Sequence, residues 1–334
     1  MTQRYLVTGA QGFVGRHLVS HLLSQFPRST VLGVGRSTHQ ESFFSYSVDV
    51  GKERVPAALP GYLQHAFGPR YRYVSADLTS QDFTYAMRDF HPTKVIHLAA
   101  TLRGVPDENI FQSNVQVTAS LLNSIPQSDV EMFLFASSGG VYGNQQKLPI
   151  EETAVVQPLD LYSRSKLASE DLVRQFAIRS GVPTTIARIF NICGPGQDHL
   201  HLAGRIANQL AAIAVHKSEP ILRIGSLAST RDFLDVRDVS GGLAALLRSN
   251  YQGICNVGSG SEISVGDLLE MFLDCAGLKQ CVRIDIDTAR IDRVCRHVAD
   301  SRRLLKTGFA PQYPLLLSCQ DMLAYCRRWF YGVS

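Results

Sequence analysis

The stretch Arg4-Tyr5-Leu6-Val7-Thr8-Gly9-Ala10-Gln11-Gly12-Phe13-Val14-Gly15 constrains the fold more than any other part of the chain. A short apolar, β-branched run meets three glycines spaced three apart. An amphipathic segment follows at once, with Phe13, Val14, Leu18, Val19, Leu22 and Leu23 at helical spacing. That order predicts a strand, a tight turn and a helix N-terminus. Glycines let such a turn close and let its backbone approach a pyrophosphate, whose charge rests on the helix's unpaired N–H groups. The usual spacing is G-x-G-x-x-G and here it is G-x-x-G-x-x-G, so Gly9, Gly12, Phe13, Val14 and Gly15 are the expected dinucleotide contacts.

The next strand signal, Thr30 to Val34, ends in Gly35-Arg36-Ser37. In a dinucleotide fold the residue at this point meets the adenosine ribose, where an acid binds a 2′-hydroxyl and an arginine accommodates a 2′-phosphate. Arg36 therefore favours NADP(H), with NAD(H) possible; a merely solvated arginine is the alternative. Residues 38–70 read as a polar insertion bearing Pro and Gly, with room for a short helix, a length that marks a functional or contact loop.

Further strands are expected at Tyr71 to Ser75, leading to Asp77-Leu78, at Lys94 to Ala100, at Met132 to Ala136 and at Thr184 to Ile189, with helical patterns between. Alternation of this kind predicts an α/β fold, a doubly wound parallel sheet. Beyond residue 190 the alternation decays: helix 204–216, strand Ile221 to Ile224, helix 238–248, strand Ile254 to Val257, and a capping box opening a helix at Ser264-Val265-Gly266-Asp267. The expected division is a dinucleotide-binding domain over 1–190, with a strand and helix added from about 225–258. A smaller, interleaved lobe over 191–334 would hold the substrate.

The chain of 334 residues carries a net charge of +4, too weak to argue for nucleic acid but suited to a phosphate-bearing ligand. No apolar run is long enough to span a bilayer, and the first strand begins too early to leave space for a signal peptide. Seven cysteines without a C-x-x-C pair speak against a disulfide framework or a zinc site, and for a reducing cytoplasm. His199 and His201 flank Leu200, but no third ligand accompanies them, so no metal is expected; Cys193 lies in the expected sugar loop.

Tyr162 and Lys166 are four apart on a predicted helix, so both side chains leave the same face. A phenol titrates near pH ~10 and is a poor proton donor at neutrality. A nearby ammonium stabilises the phenolate and draws that value down, and a lysine also reaches a ribose hydroxyl. Ser138, at the end of a serine-rich strand, can hold a carbonyl oxygen.

These residues resemble the extended short-chain dehydrogenase/reductase family over nearly the whole chain. The matches are Gly9/Gly12/Gly15, Asp77-Leu78, His97-Leu98-Ala99-Ala100, Ser138 four before Tyr142, Tyr162/Lys166, Arg188-x-x-Asn191-x-x-Gly194-Pro195 and Arg231-Asp232-Phe233-Leu234-Asp235. The resemblance implies a Rossmann sheet and action on nucleotide-diphospho sugars. Within the family, residues 188–197 and 229–235 look most like GDP-4-keto-6-deoxy-mannose reductases, whereas Val31 to Ser37 look like the NADP-using GDP-mannose 4,6-dehydratases.

By the same resemblance Asp77 and Leu78 would meet the adenine, Leu98, Ala99 and Ala100 would line the cofactor, and Tyr162 and Lys166 would meet the nicotinamide ribose. Asn191 would hold the sugar nucleotide and Arg231 its diphosphate, with Arg290 a second candidate; the alternative for Arg231 is an ion pair with Asp232 or Asp235. The dehydratases follow the serine or threonine with an acid, and here the slots are Gly139 and Gly140. Elimination needs a base and an acid on the sugar, so glycine points to hydride transfer or epimerisation; Glu151 and Glu152 are expected on a surface loop, out of reach. The resulting expectation is an NADPH-dependent reductase of a nucleotide-linked 4-keto-6-deoxy sugar, cytoplasmic, and a homodimer or homotetramer. A 4-epimerase with permanently bound cofactor, or an NADP-sensing binding protein without catalysis, are the alternatives.

Overall fold

The structure is a computed structural model and describes residues 3–50, 53–64, 66–101, 107–287 and 294–332. In chain order, β1 (Arg4–Thr8) runs into α1 (Phe13–Gln25), β2 (Thr30–Gly35), β3 (Phe43–Val50), β4 (Glu53–Ala58), β5 (Tyr71–Ser75), α2 (Gln81–Phe90) and β6 (Lys94–His97). Then come α3 (Asp107–Ser124), β7 (Met132–Ser138), α4 (Leu161–Ser180), β8 (Thr184–Ile189), β9 (Asn191–Cys193), α5 (Leu202–Ala214), β10 (Ile221–Ile224), β11 (Thr230–Arg231) and β12 (Phe233–Asp235). The chain ends with α6 (Val236–Arg248), β13 (Gly253–Val257), β14 (Ile263–Ser264), α7 (Val265–Ala276), β15 (Arg283–Ile286), β16 (Arg296–His297), α8 (Arg302–Leu305) and α9 (Leu315–Tyr331).

Seven strands form one parallel sheet in the order β13-β8-β7-β6-β1-β2-β5. The side chains of β1 explain why helices cover both faces. Tyr5 and Val7 enter one core with Leu18 and Leu22 of α1 and Leu243 and Leu246 of α6. Leu6 enters the opposite core with Phe83 of α2, Leu121 of α3 and Phe176 of α4. The chain leaves β1 toward β2 and β5, then returns to the other side of β1 as β6. That reversal opens a crevice at the C-terminal ends of β1 and β6, where Thr8 stands beside His97.

A third core joins α5, α7 and α9 through residues such as Ile206, Leu210, Leu268, Phe272, Met322 and Leu323. The insertion expected as a loop is instead an antiparallel hairpin, β3 with β4, and the short helix it was expected to have room for is a single 3-10 turn at Gly61–Leu63. Phe44, Val48, Ala57, Leu59 and Leu63 give it a core of its own. The hairpin spans two parts of the molecule. Ser45 N–H donates to Gln11 O of the glycine turn at 2.9 Å, and the Tyr46 hydroxyl donates to Gly196 O. Asn208 of α5 donates to Asp49 O at 3.0 Å, and Tyr325 of α9 to Ala58 O at 2.6 Å.

Candidate active site

The glycine turn begins as β1 ends. Gly9 has φ +69°, and a Cβ there would stand 2.9 Å from Ala99 N; a Cβ at Gly15 would run into the Gly9 carbonyl. Only glycine allows this approach of turn, helix and β6. Gly12 caps α1 without a side-chain hydrogen bond, so the helix offers its first N–H groups to a ligand. Phe13 differs from the expectation in one respect. Its ring packs with Phe44 and His17 in the hairpin core, so backbone is what it can present to a cofactor, and Val14 packs into the sheet core.

Leu98, Ala99 and Ala100 leave β6 half-buried, with Leu98 N–H on Thr8 O at 3.3 Å and Ala99 N–H on Thr8 Oγ1 at 3.2 Å. His97 spans Thr8 Oγ1 (2.7 Å) and Thr118 Oγ1 (3.1 Å), and burial pushes its imidazole down to about 3. It is therefore a neutral cross-brace at the switch point. Arg36 is exposed and lines one cavity with Asp77, Thr79, Asn109, Gln112, Ser113, Gln116 and Val117. Hydrogen bonds from Thr79, at 2.8 and 2.6 Å, hold the Asp77 carboxyl below its usual value, with Arg36 adding to the effect. Leu78 is buried in the core beneath. Gly9, Gly12, Gly15, Leu98 to Ala100, Asp77 and Arg36 thus fit a dinucleotide laid from the crevice toward β2: a cradle closed to side chains, an open helix terminus, and an exposed arginine just past the end of β2.

Ser137 and Ser138 end β7 and point apart. Ser137 is buried and donates to Glu170 Oε1 at 2.6 Å, while Ser138 is half-exposed and its Oγ accepts from Gly140 N–H at 3.1 Å. Gly140 packs against Ser163, where a Cβ would lie 2.5 Å from Ser163 Oγ, so the Ser138 turn rests on the first turn of α4. Asp160 caps that helix through Ser163 N–H at 2.7 Å and fixes its start at Leu161, one residue before Tyr162.

Tyr162 is half-buried and Lys166 fully so, with Lys166 Nζ 5.8 Å from the centre of the Tyr162 ring. Nζ also donates to Ala136 O at 2.8 Å. Burial pulls the ammonium down to about 8, against the opposing pull of Glu170. Sequence reasoning missed Glu170, which accepts from Ser137, from Arg188 Nε (2.9 Å) and Nη2 (2.7 Å), and from Arg174 (2.8 Å). Burial pulls the Arg188 guanidinium down, but Glu170 more than offsets it and the net shift is upward.

Asn191 Nδ2 donates to Asp232 O at 3.3 Å, and Arg231, the residue before Asp232, donates from Nη1 to Thr230 O at 2.8 Å. The Asp232 carboxylate is satisfied by Ser259, Gly260 and Ala299, and that of Asp235 by Arg237 and Ser318, so both are committed to other groups. Arg290 lies outside the described residues. Glu151 pairs with Lys147 near the surface, but Glu152 is buried, contrary to expectation, because Asn256 N–H (3.0 Å) and Arg303 (3.1 Å) draw it inward. The His199 ring sits between Asp49 and Asp198, and burial pushes the Cys193 thiol up. Among the described residues no group of His, Cys, Asp or Glu could hold a metal ion, and no helix is long and apolar enough to cross a membrane.

The NAD dependent epimerase/dehydratase family matches residues 5–258, from β1 through β13. The chain belongs to that family. It is therefore an enzyme of the NAD(P)-dependent oxidoreductase type, and the matched span includes both the glycine turn and the Ser138/Tyr162/Lys166 group. The chain is 31% identical, over 97% of each sequence, to the GDP-6-deoxy-D-mannose reductase of Pseudomonas aeruginosa. It is 27% identical to a putative UDP-glucose 4-epimerase of Methanocaldococcus jannaschii, over 93% of this chain and 94% of that one. Among solved structures, that of RMD from Pseudomonas aeruginosa complexed with NADPH superposes with a TM-score of 0.76 at 28% identity, covering 98% of this chain and 99% of the other.

Proposed function

We propose that the protein reduces the keto group of a nucleotide-diphospho-4-keto-6-deoxy sugar, with NADPH as its preferred cofactor and NADH a possible one. The observation that carries this reading is Arg36 in one cavity with Asp77, where an acid would select NAD(H). The similarity to a GDP-6-deoxy-D-mannose reductase and to an NADPH complex supports it.

When bound, the nicotinamide supplies the hydride that the keto carbon accepts. The Ser138 hydroxyl donates a hydrogen bond to the keto oxygen, and Tyr162 gives that oxygen its proton as the alkoxide develops. The Lys166 ammonium stabilises the phenolate left behind and holds the adjoining ribose. Asn191 binds the sugar nucleotide, and Arg231, with Arg290 as a second group, neutralises its diphosphate. The seven-stranded sheet of β1, β2, β5 to β8 and β13 serves the dinucleotide and the α5/α7/α9 lobe the sugar nucleotide. The protein acts as a cytoplasmic homodimer or homotetramer.

The test is a panel of GDP-, UDP-, dTDP- and CDP-linked 4-keto-6-deoxy sugars with NADPH. Loss of cofactor absorbance matched one-to-one by alcohol product is expected, and GDP-mannose with catalytic NADP⁺ should give no product lighter by one water. A dehydrated product would return the protein to the dehydratase branch. The likeness to a putative UDP-glucose 4-epimerase favours one second reading, in which the same residues serve and cofactor stays bound through turnover. Interconversion of UDP-hexoses without net NADPH loss distinguishes it.

A further inference from the structure

Gly139 follows Ser138 directly, and the space its absent side chain leaves is filled from elsewhere. A Cβ at Gly139 would stand 2.8 Å from His297 Cε1 and 3.0 Å from the Phe190 ring. The His297 imidazole is stacked on Phe190, with centroids 4.4 Å apart and planes 28° apart. Its Nε2 lies 3.0 Å from Gly139 O; a carbonyl only accepts, so Nε2 carries the hydrogen. Burial pushes the imidazole down to about 4, opposed by the Gly139 carbonyl and assisted by Arg231. The ring is therefore neutral at working pH, with its one N–H committed to Gly139.

His297 has a second attachment. β16 pairs in parallel with β11, which sets His297 opposite Arg231. The residue before it, Arg296, grips Glu262 with two bonds of 2.8 and 2.6 Å, and Cys295 O accepts from Thr230 N–H at 2.9 Å. One short strand thus joins the backbone of β11, which carries Arg231, to the turn that carries Ser138.

We propose that His297 is a positioning residue of this active site: seated in the slot that Gly139 leaves open, it sets the Ser138 turn against the Arg231 strand. The proposal rests on the reading of Ser138 and Arg231 given above. An acid at residue 139 would collide with the imidazole, so this wedge and proton transfer by a residue-139 side chain exclude each other. Holding turn and strand at a fixed separation presents the sugar's keto carbon at one depth relative to Tyr162. A displacement on the order of 1 Å at such a point is enough to cost about 100-fold in rate.

The test is a double-mutant cycle between residues 139 and 297, read on turnover, on NADPH affinity and on unfolding free energy. Gly139→Ala should lower kcat by about tenfold or more while leaving the NADPH Kd within about twofold, and in the His297→Ala background it should cost at least about threefold less, because the nearer ring is gone and only Phe190, at 3.0 Å, remains. His297→Gln, whose amide can reach the Gly139 carbonyl, should keep the sugar-nucleotide KM near wild type, whereas His297→Phe keeps the stack, loses the donor and should raise it. The unfolding cycle should show the same coupling without any turnover. Equal cost of Gly139→Ala in both backgrounds, or an unchanged KM in His297→Phe, overturns the proposal. The reductase reading fails separately, on the wild type alone, if no 4-keto sugar nucleotide consumes NADPH.

Discussion

Lys166 Nζ donates to the carbonyl oxygen of Ala136 at 2.8 Å, and this bond anchors the ammonium beneath Tyr162. Burial lowers its pKa to about 8. The charged form is the one that stabilises a tyrosine phenolate, and it is lost as pH rises through that value. The kcat/KM for carbonyl reduction should therefore hold below pH 8 and fall tenfold per pH unit well above it. A pH–rate profile of the free enzyme checks this; a flat profile to pH ~10, the ordinary lysine range, would remove Lys166 from the proton chemistry.

Tyr162→Phe keeps the ring that packs by Lys166 and deletes the hydroxyl. Turnover should fall by roughly 10²–10⁴, the range for general acid catalysis, with NADPH affinity little changed. Fluorescence titration of the cofactor beside steady-state kinetics separates the two effects. Retention of most of the activity would exclude Tyr162 as the proton donor.

Arg36→Ala should weaken NADPH and leave NADH nearly unchanged, because only the former places a 2′-phosphate at the end of β2. Losing a charge-assisted contact costs about 1.5–3 kcal/mol, tenfold or more in Kd. Titration of both cofactors against both proteins measures it, and equal wild-type affinity for NADH and NADPH defeats the assignment.

The glycine turn, the parallel sheet and the Tyr162/Lys166 pair were legible in the sequence because each is a local pattern. Period and spacing encode them directly. Glu170 was not legible: on a helix, four residues before Arg174, it reads as half of a solvated pair. Its burial is imposed by Arg188 and Ser137 on two neighbouring strands, 18 and 33 residues away. His297 was hidden for the same reason, since nothing near it in sequence announces Gly139 or Phe190. The hairpin did carry a signal. Phe44, Tyr46, Val48 and Val50 alternate with Ser45, Ser47 and Asp49, a strand period that the polar composition of residues 38–70 obscured. Helix α9, with Cys319, Met322, Leu323 and Cys326 buried at helical spacing, carries an equally local signal.

The hairpin predicts its own phenotype. Tyr46 reaches Gly196 and Asp49 pairs with His199 at 3.2 Å, so β3 braces the loop between β9 and α5 from the side of the glycine turn. Tyr46→Phe should raise the sugar-nucleotide KM several-fold with kcat nearly unchanged, since the loop is loosened and the catalytic group is not. Phe44→Ala, which empties the hairpin core, should cost about 3–5 kcal/mol in urea unfolding. A Tyr46→Phe enzyme with unchanged KM would make the brace irrelevant to substrate binding.

Glu170 supports the last prediction. Its carboxylate is completely buried and accepts from Ser137, Arg174 and both Nε and Nη2 of Arg188, itself 2% exposed. Glu170→Gln keeps the size and removes the charge, leaving the Arg188 guanidinium buried without its counter-ion. Breaking one side of such a pair costs roughly 3–5 kcal/mol, far more than the pair's own net contribution. The same carboxylate opposes the burial that lowers Lys166, so its removal should also move the alkaline limb of kcat/KM to lower pH. A merely structural role for Glu170 would reproduce the loss of stability but leave the limb where it was. Replacing both partners, Glu170→Gln with Arg188→Met, should recover part of the stability, since no unpaired charge then remains, while the limb stays shifted. Denaturant titration and a pH–rate profile on the single and double variants read the two effects apart. An unshifted limb in both would confine Glu170 to holding β7, β8 and α4 together.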